Sequence, residues 1–341
     1  MNGGWRLTGA LGRGGARLWM AAALGGLLAT AARAGRQSAG DVDPYRAFGV
    51  VANNAFFYYA DLERATRFYT DVLGLRIAAD YGFAKVLQVA PTSFLTLVDA
   101  AKGMHAADEP KTTALALLAD DLDAWNAHLT ARGVPYKHPY RGAVAGSAHD
   151  GFVVIDPEGY LLELERFNPH PENARFTLLL ANLTPLPAAP VAVPGGAPPP
   201  PGLSIRATVL WLYYKDLATV QLFYEKRLGF ELVVDQGWAK VHRTSASGFV
   251  GLVDEARGMH RATAQKGVTA SFLTNALDRW FEHVKTRTLF ELRSKAIHED
   301  EEERYRAFIG YDPEGYTLEF DTFLEHPQNV GLLKALRTAR E

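Results

Sequence analysis

Tyr58-Tyr59-Ala60-Asp61-Leu62 returns in this chain as Tyr213-Tyr214-Lys215-Asp216-Leu217. Gly82-Phe83-Ala84-Lys85-Val86 returns as Gly237-Trp238-Ala239-Lys240-Val241, and Gly103-Met104-His105 as Gly258-Met259-His260. The offset is 155 in all three cases, and becomes 156 where Asp156-Pro157-Glu158-Gly159-Tyr160 recurs at Asp312 to Tyr316 and His170 at His326. An offset held over so long a stretch marks a tandem duplication, so one copy's fold is built twice. A length of 341 residues allows about two domains of ordinary size.

The joint between the copies is legible in composition. Residues 184–202 are rich in Pro, Ala and Gly and end in four consecutive prolines, Pro198 to Pro201. Such a run favours extended polyproline II and reads as a semi-rigid linker. Ahead of the first copy, Arg6, Arg13 and Arg17 precede an apolar stretch over residues 18–31, and Ala32-Arg33-Ala34 offers a small-residue cleavage site. Residues 1–34 are therefore expected to be an export signal and 35–47 a flexible lead-in, which predicts a periplasmic or secreted protein. The stretch is shorter than the ~20 residues a membrane span needs, so no membrane association is expected after cleavage. Without the signal, 32 basic side chains face 38 acidic ones, a formal −6, which gives no electrostatic case for nucleic acid. The chain has no cysteine, which excludes disulfides, thiol chemistry and lipoprotein attachment.

Within a copy, strand and helix patterns alternate. Residues 50–59 read as a strand, and Asp61 is placed to cap a helix with apolar positions at Leu62, Ala65, Phe68, Tyr69 and Val72, stopped by Gly74. Strand-like runs follow at 75–79, 84–89 and 93–98. A second round begins at 113–118, with a helix over 121–132 and strands around 151–155 and 160–167; the register is least defined between 137 and 149. Asp-Pro-x-Gly is a turn in which Pro presets φ and Gly tolerates positive φ. It launches a strand on which Leu161, Glu163 and Glu165 share a face, as the second copy's turn launches Glu319. A buried carboxylate there must be paired, protonated or metal-bound.

These features resemble the vicinal oxygen chelate superfamily, which includes glyoxalase I, extradiol dioxygenases, and fosfomycin and bleomycin resistance proteins. The resemblance rests on Asp61-Leu62-Glu63-Arg64 through Phe68-Tyr69 and Val72-Leu73-Gly74-Leu75, then on Asp156 to Gly159 with Glu163, and on their counterparts in the second copy. It implies an α+β fold, a tandem duplication of domains at 48–174 and 205–327, each made of two βαβββ units curling around a cleft. It also implies that Glu163 and Glu319 stand at the family's last metal-ligand position. The first ligand position falls on Asn54 and Val209, and the family's third-quarter His falls near Thr113 or Ala114 and near Val268 or Thr269. One carboxylate cannot hold Zn²⁺ or Fe²⁺, so the usual site is expected to be degraded.

His105 and His260, repeated in Gly-Met-His, are the candidates to replace the missing ligands beside Glu163 or Glu319, against the commoner fate of a loop His as a solvated or hydrogen-bonding residue. His170 and His326 recur in His-Pro-x-Asn, and His128 and His283 recur on the second helix, where an exposed face is expected. Strand alternation puts Asn54, Phe56 and Tyr58 on one face, with Val209, Trp211 and Tyr213 equivalent, and in the family that face lines the cleft. Lys85 and Lys240, each strand-centred in Ala-Lys-Val, are candidates to pair with the cleft Glu or clamp an anion, the alternative being solvated lysines and core aromatics. A small organic ligand bound without metal in an aromatic cleft is the leading expectation. The alternatives are a divalent-metal (Zn, Fe, Mn or Ni) lyase or ring-cleaving dioxygenase with displaced ligands, and a structural or interaction module whose cleft is filled by its own side chains. Whether the copies pair within the chain or as a homodimer is open.

Overall fold

The structure is a computed structural model, which describes residues 48–189, 199, 202–286, 290–293 and 295–338. The expected export signal and lead-in, and most of the linker, lie outside the described residues. Among them no helix is long and apolar enough to cross a membrane.

Each quarter of the chain is one strand, a helix and further strands. The first runs from the strand Val50–Tyr59 through the helix Leu62–Arg67, which continues over Phe68–Val72 as a π-helical turn, to strands Arg76–Asp80, Ala84–Ala90 and Ser93–Asp99. Asp61 caps the helix by accepting from Arg64 N, and Gly74 ends the segment at φ +69°, where a side chain is disfavoured. The second quarter comprises Thr113–Leu118, the helix Leu122–Ala131, and strands Tyr136–His138, His149–Ile155 and Leu161–Phe167. The third repeats the first, with strands Ala207–Tyr214, Glu231–Asp235, Ala239–Arg243 and Gly248–Asp254. The fourth repeats the second, with main strands Val268–Thr274, Tyr305–Tyr311 and Thr317–Phe323.

The copies pair within the chain, and they do so crosswise. Strand Val50–Tyr59 of the first quarter runs antiparallel to Val268–Thr274 of the fourth, giving one large sheet. Strand Ala207–Tyr214 of the third quarter runs antiparallel to Thr113–Leu118 of the second, giving the other. Each sheet therefore takes one βαβββ unit from each copy. The alternation along Val50–Tyr59 sends Phe57 and Tyr59 into the main core, which also holds Leu115, Trp125, Phe223 and Trp280, and there both rings pack on Tyr160. Phe56 and Tyr58 point the other way, into a cleft.

The symmetry of the duplication is visible where the copies meet. Thr92 N donates to Ser247 Oγ at 2.8 Å and Ser247 N donates to Thr92 Oγ1 at 2.7 Å, fully buried. A short helix closes each copy, Ala174–Ala181 and Val330–Thr338, beyond the range the sequence reading covered. Phe176 and Leu180 pack on the second sheet beside Val209 and Phe249, and Leu332 on the first beside Ala52 and Phe94. His170 and His326 begin the turns that lead into these helices: their Nδ1 atoms accept from Glu172 N at 3.3 Å and Gln328 N at 3.2 Å. The helix residues His128 and His283 are buried rather than exposed, each with Nε2 within 2.8 Å of a backbone carbonyl, of Val72 and Arg227 respectively.

Candidate functional site

The repeated pentapeptide is a structural joint. Asp156 accepts from the backbone N–H groups of Glu158 and Tyr160 at 3.0 and 2.8 Å and from the Tyr59 hydroxyl at 2.7 Å. Glu158 takes the N–H groups of Ala60 and Asp61 at 2.8 Å each. Tyr160 Oη accepts from Tyr58 N at 2.8 Å and donates to Gly267 O at 2.6 Å, which links the two copies. This joint fixes the start of the strand Leu161–Phe167 and so the position of its acids.

Residues paired laterally across a sheet share a face. In the second sheet one such row is Val209, Ala116, Glu163 and Val153, with Glu165 two residues on. In the first sheet the matching row is Asn54, Ser271, Glu319 and Ile309, with Asp321 two residues on. Crosswise pairing therefore places Asn54, Phe56 and Tyr58 with Glu319, and Val209, Trp211 and Tyr213 with Glu163. Which first strand each Glu meets was left open by the sequence, and the crossing decides it. A site combining Glu319 with His260 is excluded likewise, because His260 packs beside Tyr213 on the other sheet.

The Glu163 cleft has a volume of about 430 Å³ and is walled by Trp211, Tyr213, Trp238, Phe152 and Phe167. The Glu319 cleft, about 230 Å³, is walled by Phe56, Tyr58, Tyr81, Phe83, Phe308 and Phe323. Each floor carries a carboxyl pair. Burial pushes Glu163 up to about 7, although the facing Trp211 indole favours its charged form; Trp211 Nε1 makes no hydrogen bond of ordinary geometry. Burial, then the charge of Glu163, pushes Glu165 well above the usual carboxylate range. Burial raises Glu319 strongly, with Asp321 adding to it, and raises Asp321 against hydrogen bonds from Glu319 and Ser271. Two adjacent acids in so little water hold a proton between them. Glu165 and Asp321 were not nominated from sequence as site residues. The period of two that puts them beside Glu163 and Glu319 is the signal that finds them.

The lysines lie elsewhere. Ala84 and Val86 line the Glu319 cleft, so Lys85 points to the opposite face, where Nζ meets Asp80 at 2.9 Å and Glu63 at 3.5 Å. Lys240 likewise pairs with Asp235 at 2.5 Å. Neither reaches a cleft Glu, which corrects their proposed role. His105 and His260 stand behind the cleft walls, edge-on to Tyr58 and Tyr213 with ring centroids 4.9 and 5.0 Å apart. His105 is engaged by Glu109 at 2.7 Å and Thr317 at 3.2 Å; burial pushes His260 down to about 4, with Lys137 adding to it. The Gly-Met-His repeat has a packing cause: a Cβ at Gly103 or Gly258 would lie 2.6 Å from the Tyr58 or Tyr213 ring. The repeat lines each cleft with its glycine and methionine, Gly103 and Met104 or Gly258 and Met259.

The donors do not fit the family's divalent metal, which takes about three or four protein ligands. Beside Glu163 stand Val209 and Ala116. Beside Glu319, Asn54 is bound to Thr96 at 2.8 Å and Ser271 donates to Asp321. Among the described residues no group of three His, Cys, Asp or Glu is placed to hold a metal ion.

The sequence pattern of the Glyoxalase/Bleomycin resistance protein/Dioxygenase superfamily matches residues 51–164. No protein of curated function matches the sequence. Among solved structures, a putative dioxygenase from Bacillus subtilis is similar at 14% identity and a TM-score of 0.56, over 82% of this chain and 86% of that one. Glyoxalase I from Zea mays is similar at 15% identity and a TM-score of 0.55, over 88% of this chain and the whole of that one. At such identities the likeness is one of fold. Residues 51–164 thus form a domain of the glyoxalase/bleomycin resistance/dioxygenase superfamily, and the second copy rebuilds the same strand and helix units in tandem.

Proposed function

We propose that the protein binds a small organic molecule in its aromatic-walled clefts, without the family's divalent metal, after export from the cytoplasm. The observation that carries this reading is the Glu163 cleft: an open volume of about 430 Å³ behind Trp211, Tyr213 and Trp238, whose acid shares its row with the apolar Val209, Ala116 and Val153. Pockets of this size and lining suit small, partly apolar ligands. The structural-module alternative calls for a cleft filled by its own side chains, and this cleft is open. A metal-dependent lyase or ring-cleaving dioxygenase needs ligands that neither row supplies.

The test is elemental analysis of residues 35–341 after exposure to Zn²⁺, Fe²⁺, Mn²⁺ and Ni²⁺, with a tryptophan-fluorescence screen of aromatic compounds on the same preparation. The expected result is no stoichiometric metal and saturable quenching by some compounds. About one tightly held metal per cleft, lost in Glu163→Ala and Glu319→Ala, overturns the reading. Export is tested separately by mass spectrometry of the mature N-terminus, expected at Gly35.

A further inference from the structure

The floor of the Glu163 cleft holds buried polar atoms that the protein leaves unanswered. Glu165 is 3% exposed, yet its Oε2 has no hydrogen-bond partner, and the Trp211 indole, 7% exposed, faces Glu163 without a hydrogen bond of ordinary geometry. Both residues line the cleft. Leaving the buried Glu165 oxygen unpaired is costly, so a ligand that donates a hydrogen bond to it recovers free energy, while Trp211 offers its ring face to the ligand's body. No basic side chain offsets the two glutamates: burial, the Trp211 indole and their mutual repulsion account for their state.

The other charged groups around the cleft are accounted for. Asp150 is held by Arg166 at 3.1 Å and Asn168 at 2.9 Å, and Arg206, past the end of the acid strand, by Asp120. Tyr213 faces the glutamates, and burial, then their charges, keeps its hydroxyl protonated. Arg141, His138 and His149 stand exposed at the mouth, and the exposed Arg257 lies 4.9 Å from the Trp238 ring centre. Positive charge is thus confined to the solvated rim, while the floor is acidic and aromatic.

From this geometry we infer that the Glu163 cleft selects an organic cation: a flat apolar body between Trp211, Tyr213 and Trp238, with a hydrogen-bond-donating amine or amidine head on Glu163 and Glu165. This deepens the proposed function and rests on it. A cation stacked among aromatic faces and bound by carboxylates uses both the ring quadrupoles and charge-assisted hydrogen bonds. Meeting the head with two carboxylates requires the proton they share to leave for solvent. Binding therefore releases up to one proton per ligand near neutral pH, and affinity rises with pH until both acids are ionised.

The experiment titrates the full chain with benzamidine and, separately, with neutral benzamide, following tryptophan fluorescence and calorimetry in two buffers of different ionisation enthalpy. Benzamidine is expected to bind at least tenfold more tightly than benzamide, with buffer-dependent heat that reports proton release and needs no variant. Glu165→Gln, checked for folding by circular dichroism, is expected to lose that preference. Benzamide binding as well as benzamidine, or an unchanged preference in the folded variant, overturns the cation assignment alone. No saturable binding of either, with no hit in the aromatic screen, overturns the binding reading itself.

Discussion

In the Glu319 cleft the acid pair sits among donors, with Ser271 bound to Asp321 and Asn54 and Thr96 bound to each other in the neighbouring strands. In the Glu163 cleft the same positions carry Ala116, Val209 and Gly251, and an aromatic ring takes the space. A Cβ at Gly251 would lie 1.9 Å from the Trp211 ring. One duplicated framework has thus been filled in two ways. The first satisfies its buried acids internally, and the second leaves them to whatever enters. Polar satisfaction stabilises a fold, whereas an unsatisfied but preorganised group is a binding device.

The sharpest way to break the comparison is to remove the inner acid from each cleft. Asp321→Ala deletes a 1%-exposed carboxyl and strands Ser271, and a loss of about 3 kcal/mol is expected. Glu165→Ala strands nothing and removes an unpaired buried acid, so it should lie within about 1 kcal/mol of neutral or stabilise. Urea midpoints measure both, and equal losses would show that the two pairs are held alike. Next comes the ring's space. Gly251→Ala is expected to cost about 2 kcal/mol and to abolish ligand-induced quenching, because the rigid indole must leave its seat. A variant that keeps both stability and quenching would show that Trp211 does not form the wall.

The outline of this arrangement was legible in the sequence, because offset, turn chemistry and alternation are local. Val50–Tyr59 has its expected bounds, Asp61 caps its helix, and Phe56 and Tyr58 face the cleft as a period of two requires. The partner of each strand was not legible. Nothing in Val50–Tyr59 says that its neighbour is Val268–Thr274, and that crossing decides which residues meet Glu163. The lysines were misplaced for a related reason. Ala84–Ala90 is buried on both faces over most of its length, so alternation separates Lys85 from Ala84 and Val86 without saying which side faces the cleft. The closing helices escaped because their signal, His-Pro-x-Asn followed by one short apolar face, is too brief to read as a helix.

A pH series sharpens the charge difference. Glu163 titrates near 4.5 when unfolded and near 7 when folded. Between those values the native state binds more protons than the unfolded one, so stability is fullest below about 4.5 and declines as pH rises through 7. After allowance for solvent reaching a cleft-lining group, the decline attributable to Glu163 is on the order of 2 kcal/mol, with Glu165 adding to it in the same direction. Glu163→Gln/Glu165→Gln should remove that share and leave the decline due to Glu319 and Asp321. Superimposable profiles for wild type and variant would mean that these glutamates are already ionised in water.

The smallest effect belongs to the lysines, and it tests where each cleft ends. Lys85 and Lys240 are largely covered, but their partners Asp80 and Asp235 are each 46% exposed at the side chain. Ion pairs so open to solvent contribute about 1 kcal/mol or less. The lysine stems also pack against the sheet, so replacement by Met keeps that contact and removes only the charge. Lys85→Met and Lys240→Met should therefore each shift the urea midpoint slightly and by similar amounts, because the two pairs are the same cross-strand contact in the two copies. Ligand affinity in either variant should stay within twofold of wild type. A loss of tenfold or more in Lys240→Met alone would mean that the back of this sheet communicates with the Glu163 cleft, and that its selectivity is not set by the cleft-facing residues alone.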